Sequence, residues 1–223
     1  SVSLLITACP TPLEFDSVPA IKYESSEINQ RTVASGSQPI YYDELSITIS
    51  YEDGDGDIGF RRNEFNPPYN FYDLILDEDG ELILYGSSPE LPPYNFYDYI
   101  ILSDTTFNNT ILNQDTVLID FNERYFNIYV SFFVNWPGNE GFEEFEWGKE
   151  HPFYQTFHGR FPTFKPHDYG RPVNGSLTYN IRVYGFRYIF KDHPMYLEVY
   201  ILDRAGNKSN IVKTDIFQMP PLE

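Results

Sequence analysis

Between residues 45 and 51 the chain alternates strictly: Leu45, Ile47, Ile49 and Tyr51 are apolar, while Ser46, Thr48 and Ser50 carry hydroxyls. A period of two sets the apolar row on one face and the hydroxyls on the other, which predicts a half-buried β-strand. The same alternation returns at Leu177, Tyr179, Ile181 and Val183, and again at Leu197, Val199 and Ile201 against Tyr196, Glu198 and Tyr200. Residues 116–121 and 125–134 are denser in β-branched and aromatic side chains, as strands covered on both faces require. Leu74, Ile75 and Leu76, then Asp77 to Gly80, then Leu82, Ile83 and Leu84 predict a hairpin whose Asp-Gly step supplies the positive φ of the turn. No segment carries a convincing helical period. The pattern therefore predicts an all-β protein, built as an antiparallel two-sheet sandwich over residues 20–219.

Two stretches depart from this pattern. Pro67-Pro68-Tyr69-Asn70-Phe71-Tyr72-Asp73 returns 25 residues later as Pro92-Pro93-Tyr94-Asn95-Phe96-Tyr97-Asp98. Two copies are too few for a solenoid, so each is expected to deliver the chain in extended conformation to a strand, with its aromatics packed on the sheet. From 136 to 172 the alternation lapses into Gly, Pro, His and aromatic residues, a long insertion of the kind that is usually functional or a lid. Its rings are too many to leave in water. They either cap the end of the sandwich or form a partner-binding patch, for which Trp136, Trp147, Phe153, Tyr154 and Phe157 are the candidates.

Charge narrows the field. The 223 residues carry 15 Lys and Arg against 33 Asp and Glu, a formal net charge of −18, so a nucleic acid would be repelled. Nineteen Tyr and nineteen Phe place the chain among folded proteins, and no run reaches the roughly eighteen apolar residues that a membrane span needs.

The single cysteine, Cys9, closes the stretch Leu4-Leu5-Ile6-Thr7-Ala8-Cys9. An apolar run, two small residues and then Cys is the pattern of a bacterial lipoprotein signal, in which cleavage leaves the thiol free to form a thioether with diacylglycerol. Residues 1–8 are then the remnant of the signal, and 9–19 the lipidated Cys with an extended tether through Pro10 and Pro12. The alternative is a buried Cys on a short first strand.

Candidate chemistry is concentrated in Asp53-Gly54-Asp55-Gly56-Asp57-Ile58-Gly59, with Glu64 at the twelfth position from Asp53. Calcium takes about six to eight oxygens, and alternate acids in a Gly-bent loop can aim several at one centre. Ile58 stands where an EF-hand needs Gly, and the flanks read as strand, so an EF-hand is rejected. Two readings remain: a non-EF calcium site formed by Asp53, Asp55, Asp57 and Glu64, or a hairpin tip whose Asp-Gly steps serve backbone geometry alone. The four His residues lack zinc-ligand spacing, and no Gly-x-Ser-x-Gly elbow occurs, so nothing motivates an enzyme.

Three segments together are similar to a known family. Residues 47–59, the two Pro-Tyr-Asn segments, and the closing stretch from Asn174-Gly175-Ser176 through Asp203-Arg204-Ala205-Gly206-Asn207-Lys208-Ser209-Asn210 resemble the immunoglobulin-like lipoproteins of Bacteroidota. The resemblance implies an immunoglobulin-like sandwich whose last two strands, at 197–202 and 211–217, form a terminal hairpin. It also implies an envelope lipoprotein that is not an enzyme. The role expected of such a chain is that of a binding or scaffold subunit of an outer-membrane transport, secretion or barrel-assembly complex, in either leaflet. The alternative role is a cell-surface glycan-binding module, with calcium in the acidic loop.

Overall fold

The computed structural model describes residues 14–35, 38–146, 156–163, 170–183 and 185–220. Cys9 lies outside them. Among the described residues the chain is all-β, with antiparallel sheets, one short helix, and no helix long and apolar enough to cross a membrane. The span 20–219, read above as one domain, contains two compact units: the described residues up to Arg61 together with those from Asn127 onward, and Arg62–Phe126.

The first unit is a two-sheet sandwich. Strand β1 (Ala20–Ser35) pairs with β2 (Gln38–Asp53) from Ala20↔Glu52 to Ser35↔Gln38, and β2 pairs on its other side with β8 (Val173–Val183). The second sheet has β6 (Ile128–Val134) between the short β7 (Glu143–Glu144) and β9 (Met195–Ile201), with β10 (Val212–Lys213) beyond β9. The period of two is realised as predicted. In β2, Leu45, Ile47, Ile49 and Tyr51 are buried, and in β9 so are Met195, Leu197, Val199 and Ile201. These rows join Ile128, Val130, Phe132 and Val134 of β6 in one core. The terminal hairpin implied by the family resemblance is present, with Val212 opposite Val199 and Phe217 opposite Met195.

No helix was expected, yet α1 (Phe186–Phe190) follows β8. Five residues are too few to display a period of 3.6, but Phe186 and Phe190, four apart, share one face and bury both rings, while Tyr188 is 83% exposed. Gly185 starts the helix at φ 91°, a conformation that suits glycine.

The second unit is a three-stranded sheet with β5 (Thr110–Phe121) between β3 (Tyr72–Leu74) and β4 (Tyr99–Phe107). Asn108 and Asn109, at φ 44° and 66°, make the tight turn from β4 to β5, and two positive φ values match the right-handed twist of a two-residue hairpin. The predicted hairpin at 74–84 forms: Leu76 bridges Leu82, and Asp77 Oδ1 accepts the amides of Asp79 and Glu81 around Gly80 at φ 80°. The repeat has a structural role. In each copy the Asn amide donates to the carboxylate three residues on, Asn70 to Asp73 at 2.7 Å and Asn95 to Asp98 at 2.6 Å. The first copy then enters β3 and the second β4, so the copies feed opposite sides of β5.

Candidate functional site

Strand β2 carries its inward row one step past Tyr51, and the next inward position is Asp53. The alternation that buries Ile47 and Ile49 thus takes a carboxylate to the end of the sandwich at 0% exposure. The chain then bends sharply. Gly54 donates to Asp16 O at 2.7 Å, and a Cβ there would lie 2.3 Å from Phe15 O, so only glycine fits; Gly56 follows at φ 68°. The bend returns Asp55 and Asp57, so that one carboxylate oxygen from each of Asp53, Asp55 and Asp57 lies within 4.8 Å of the others.

The other face of this loop is held by the turn after β9. Asp57 Oδ2 accepts the Ala205 amide at 3.1 Å, and Asp57 O accepts that of Arg204 at 3.3 Å. Asp203, itself buried, spends both carboxylate oxygens on Asn207, accepting the backbone amide and the side-chain amide at 2.7 Å each. The Asp-Arg-Ala-Gly-Asn turn is therefore a shaped brace against the acidic loop. Asp57 N in turn donates to Asp53 Oδ2 at 2.9 Å. After these bonds, Oδ1 of Asp53, of Asp55 and of Asp57 remains buried and accepts no hydrogen bond. Burial, and then the charges of Asp55 and Asp57, push the Asp53 carboxyl up to about 7 against the pull of the Asp57 amide. Burial, Asp203 and Asp55 push Asp57 up to about 6. Glu64, counted as a fourth ligand by its twelfth position, belongs to the second unit and is not in this group.

The aromatic insertion needs a correction. Phe157, placed in a partner patch by its sequence, is 7% exposed and sits in the core, 5.1 Å from Phe132 and 5.3 Å from Phe186. Trp136 is half-buried and packs inward on Phe145, Phe190 and His193 at ring distances of 5.9, 6.2 and 5.0 Å. Phe145 and Phe161 are buried as well. The described aromatics of this segment cap the sandwich, because burying a ring gains more than exposing it. Trp147, Phe153 and Tyr154 lie outside the described residues.

The same segment holds an acid-labile contact. His158 Nδ1 accepts the Val130 amide at 3.2 Å, which requires the neutral ring, and burial pushes its pKa from 6.5 down to about 4. As pH falls from 6.5 the unfolded chain takes up this proton first, so the folded state loses stability progressively down to pH 4 and is unaffected above 6.5. The full loss is about 3 kcal/mol. Urea unfolding between pH 4 and 7.5 is expected to show a steeper acid slope for the native protein than for His158→Gln. Parallel slopes would remove the assignment.

One surface the sequence did not single out lies in the second unit. Tyr85 and Ile101 flank Thr116 of β5 on opposite sides, so both side chains rise from one face of the sheet, and both are exposed. Tyr94 and Phe96 of the second repeat copy join them: Tyr94 contacts Tyr85 at 5.7 Å and Phe96 at 5.7 Å, and Phe96 is 79% exposed. Tyr99 lies buried beneath, 5.2 Å from Tyr85, and its hydroxyl donates to Pro92 O. The signal is present in the repeat, whose aromatics the sequence pattern places on the sheet as packing.

Comparison with protein-family models, curated proteins and solved structures found no match in any of the three. The chemistry of both sites is therefore argued from their own atoms. The acidic loop offers three oxygens closed off from solvent, and the second unit offers an apolar face open to it. That unit carries twelve acidic residues and two basic ones, Arg62 and Arg124, so its surface is strongly negative.

Proposed function

We propose that this chain is a non-enzymatic binding or scaffold subunit of an outer-membrane protein complex, lipid-anchored through diacylglycerol on Cys9, and that it grips its partner with the Tyr85, Tyr94, Phe96 and Ile101 face. The observation that supports the reading is this face. A folded domain exposes single apolar residues freely, but clustered exposed rings on one sheet face mark an interaction surface. Aromatic residues are also the side chains most enriched at the centres of protein interfaces. The surrounding acidic surface favours a basic partner and speeds its approach. The acidic cluster favours a non-catalytic reading as well, because its free oxygens are shut away from any substrate.

A glycan-binding module is the second reading, since exposed Tyr and Phe can stack on sugars. Tyr85 and Tyr94 are inclined by 72°, and Tyr94 and Phe96 by 69°. Rings set edge-on to one another make a knobbed surface rather than a flat platform, which suits a protein pocket better than a sugar face.

The test is extraction of native membranes in mild detergent. The protein is expected to copurify with an outer-membrane complex, and Phe96→Ser/Ile101→Ser is expected to come out alone with its melting temperature almost unchanged, because exposed substitutions usually alter stability by less than about 0.5 kcal/mol. A native protein that leaves the membrane as a lone monomer, or a variant that keeps its partner, would count decisively against the proposal. Binding of the native protein, but not the variant, to a glycan array would shift the conclusion to the second reading.

A further inference from the structure

We propose that Asp53, Asp55 and Asp57 bind one calcium ion through their Oδ1 atoms, and that the ion locks the end of β2 against the 203–207 turn. The argument begins with an inward-facing carboxylate. A hairpin tip that used its Asp-Gly steps for backbone geometry alone would leave its carboxylates in water. Asp53 is instead fully buried, with one oxygen bonded to the Asp57 amide and the other aimed into the group with no donor to meet it. Asp55 and Asp57 bring one such oxygen each. A buried carboxylate oxygen without a partner is expensive, and three carboxylates with one oxygen of each within 4.8 Å of the others add repulsion to desolvation. A cation at their centre satisfies all three at once.

The loop favours calcium. Its carboxylates sit on an irregular glycine-bent stretch of backbone, which suits the ion that tolerates irregular coordination better than magnesium, which demands near-ideal octahedral geometry. The second oxygen of Asp57 is already anchored to the Ala205 amide, so fixing Oδ1 on the ion fixes the whole carboxylate between the two loops. The ion's role is structural: residues 57 and 205, far apart in sequence, are clamped at one end of the sandwich.

The experiment uses the full chain stripped with a chelator and then titrated with calcium chloride or magnesium chloride, followed by calorimetry and thermal melting. One calcium is expected to bind with measurable heat, and at a hundredfold excess over Kd the melting temperature is expected to rise by roughly 5–10 °C. Magnesium is expected to do markedly less. The variant Asp53→Asn/Asp57→Asn is expected to show no calcium response, and in chelator to melt no lower than the stripped native protein, because two facing charges are gone. Asp55→Asn, on a half-buried position, provides a milder second variant whose calcium affinity is expected to fall at least tenfold. No heat and no melting shift with millimolar calcium on the native chain, or an unchanged response in both variants, would overturn the proposal.

Discussion

Phe157→Ala is expected to destabilise the protein by about 3–5 kcal/mol, the usual cost of deleting a large ring from a packed core. The ring lies 5.1 Å from Phe132 and 5.3 Å from Phe186, and those two lie 5.4 Å apart, so three aromatic side chains meet at one point. Phe132 and Phe186 are themselves fully buried, on β6 and α1, and neither can move into the hole without disturbing a strand or a helix. For a unit of this size the loss corresponds to a melting temperature lower by roughly 6–15 °C. Urea unfolding followed by tryptophan fluorescence, to which Trp136 on the same core contributes, measures it. Tyr188→Ser is the matched control: two residues from Phe186 on α1, its ring is 83% exposed, and a change of less than about 0.5 kcal/mol is expected. If the Phe157 variant were as stable as the control, the insertion would not be a cap, and the partner patch inferred from its composition would return.

Of the two alternatives offered for these rings, Phe157 and Trp136 take the cap, and the reason the sequence could not separate the two is physical. Composition shows that rings are abundant between 136 and 172, but whether a ring faces inward depends on strands far away in sequence, and the segment has no period that reveals a face. Where a period exists, the reading succeeds. The alternation identifies Leu45, Ile47, Ile49 and Tyr51 in β2 and Leu197, Val199 and Ile201 in β9 as core positions, and one step further along β2 the same row reaches the buried Asp53. The partner of that loop was less legible, because the amide that anchors Asp57 belongs to Ala205, 148 residues downstream. Glu64 was drawn in by counting to twelve, a spacing that belongs to a loop between helices. Here the ligand-like oxygens come from alternate residues at the end of a strand, so nearness on the sheet replaces distance along the chain. The division into two units was hidden for a related reason: β3, β4 and β5 form a sheet of their own, and pairing is not visible in a strand's own composition.

Arg187→Met is expected to cost about 3–5 kcal/mol, because it strands a buried carboxylate. Asp43 occupies the inward row of β2, two residues before Leu45, and the four inward positions that follow it, Leu45, Ile47, Ile49 and Tyr51, are all apolar. It is tolerated because Arg187 Nε donates to its Oδ1 at 2.8 Å, both side chains being nearly closed to solvent. The guanidinium also donates through Nη1 to Pro220 O, so one side chain joins β2, α1 and the chain after β10. A five-residue helix with no side-chain cap does not stand by its own hydrogen bonds, and its position depends on this ion pair together with the buried rings of Phe186 and Phe190. The pair and the rings can be separated by a double substitution. Asp43→Leu/Arg187→Met removes the charge and its partner together, and apolar replacements of buried ion pairs are often neutral or stabilising, so the double variant is expected to be at least about 2 kcal/mol more stable than Arg187→Met alone. Chemical denaturation of both variants beside the native protein gives the comparison. If the single variant lost less than about 1 kcal/mol, Asp43 would have to be reached by water or by another donor, and the helix would be held by its phenylalanines alone.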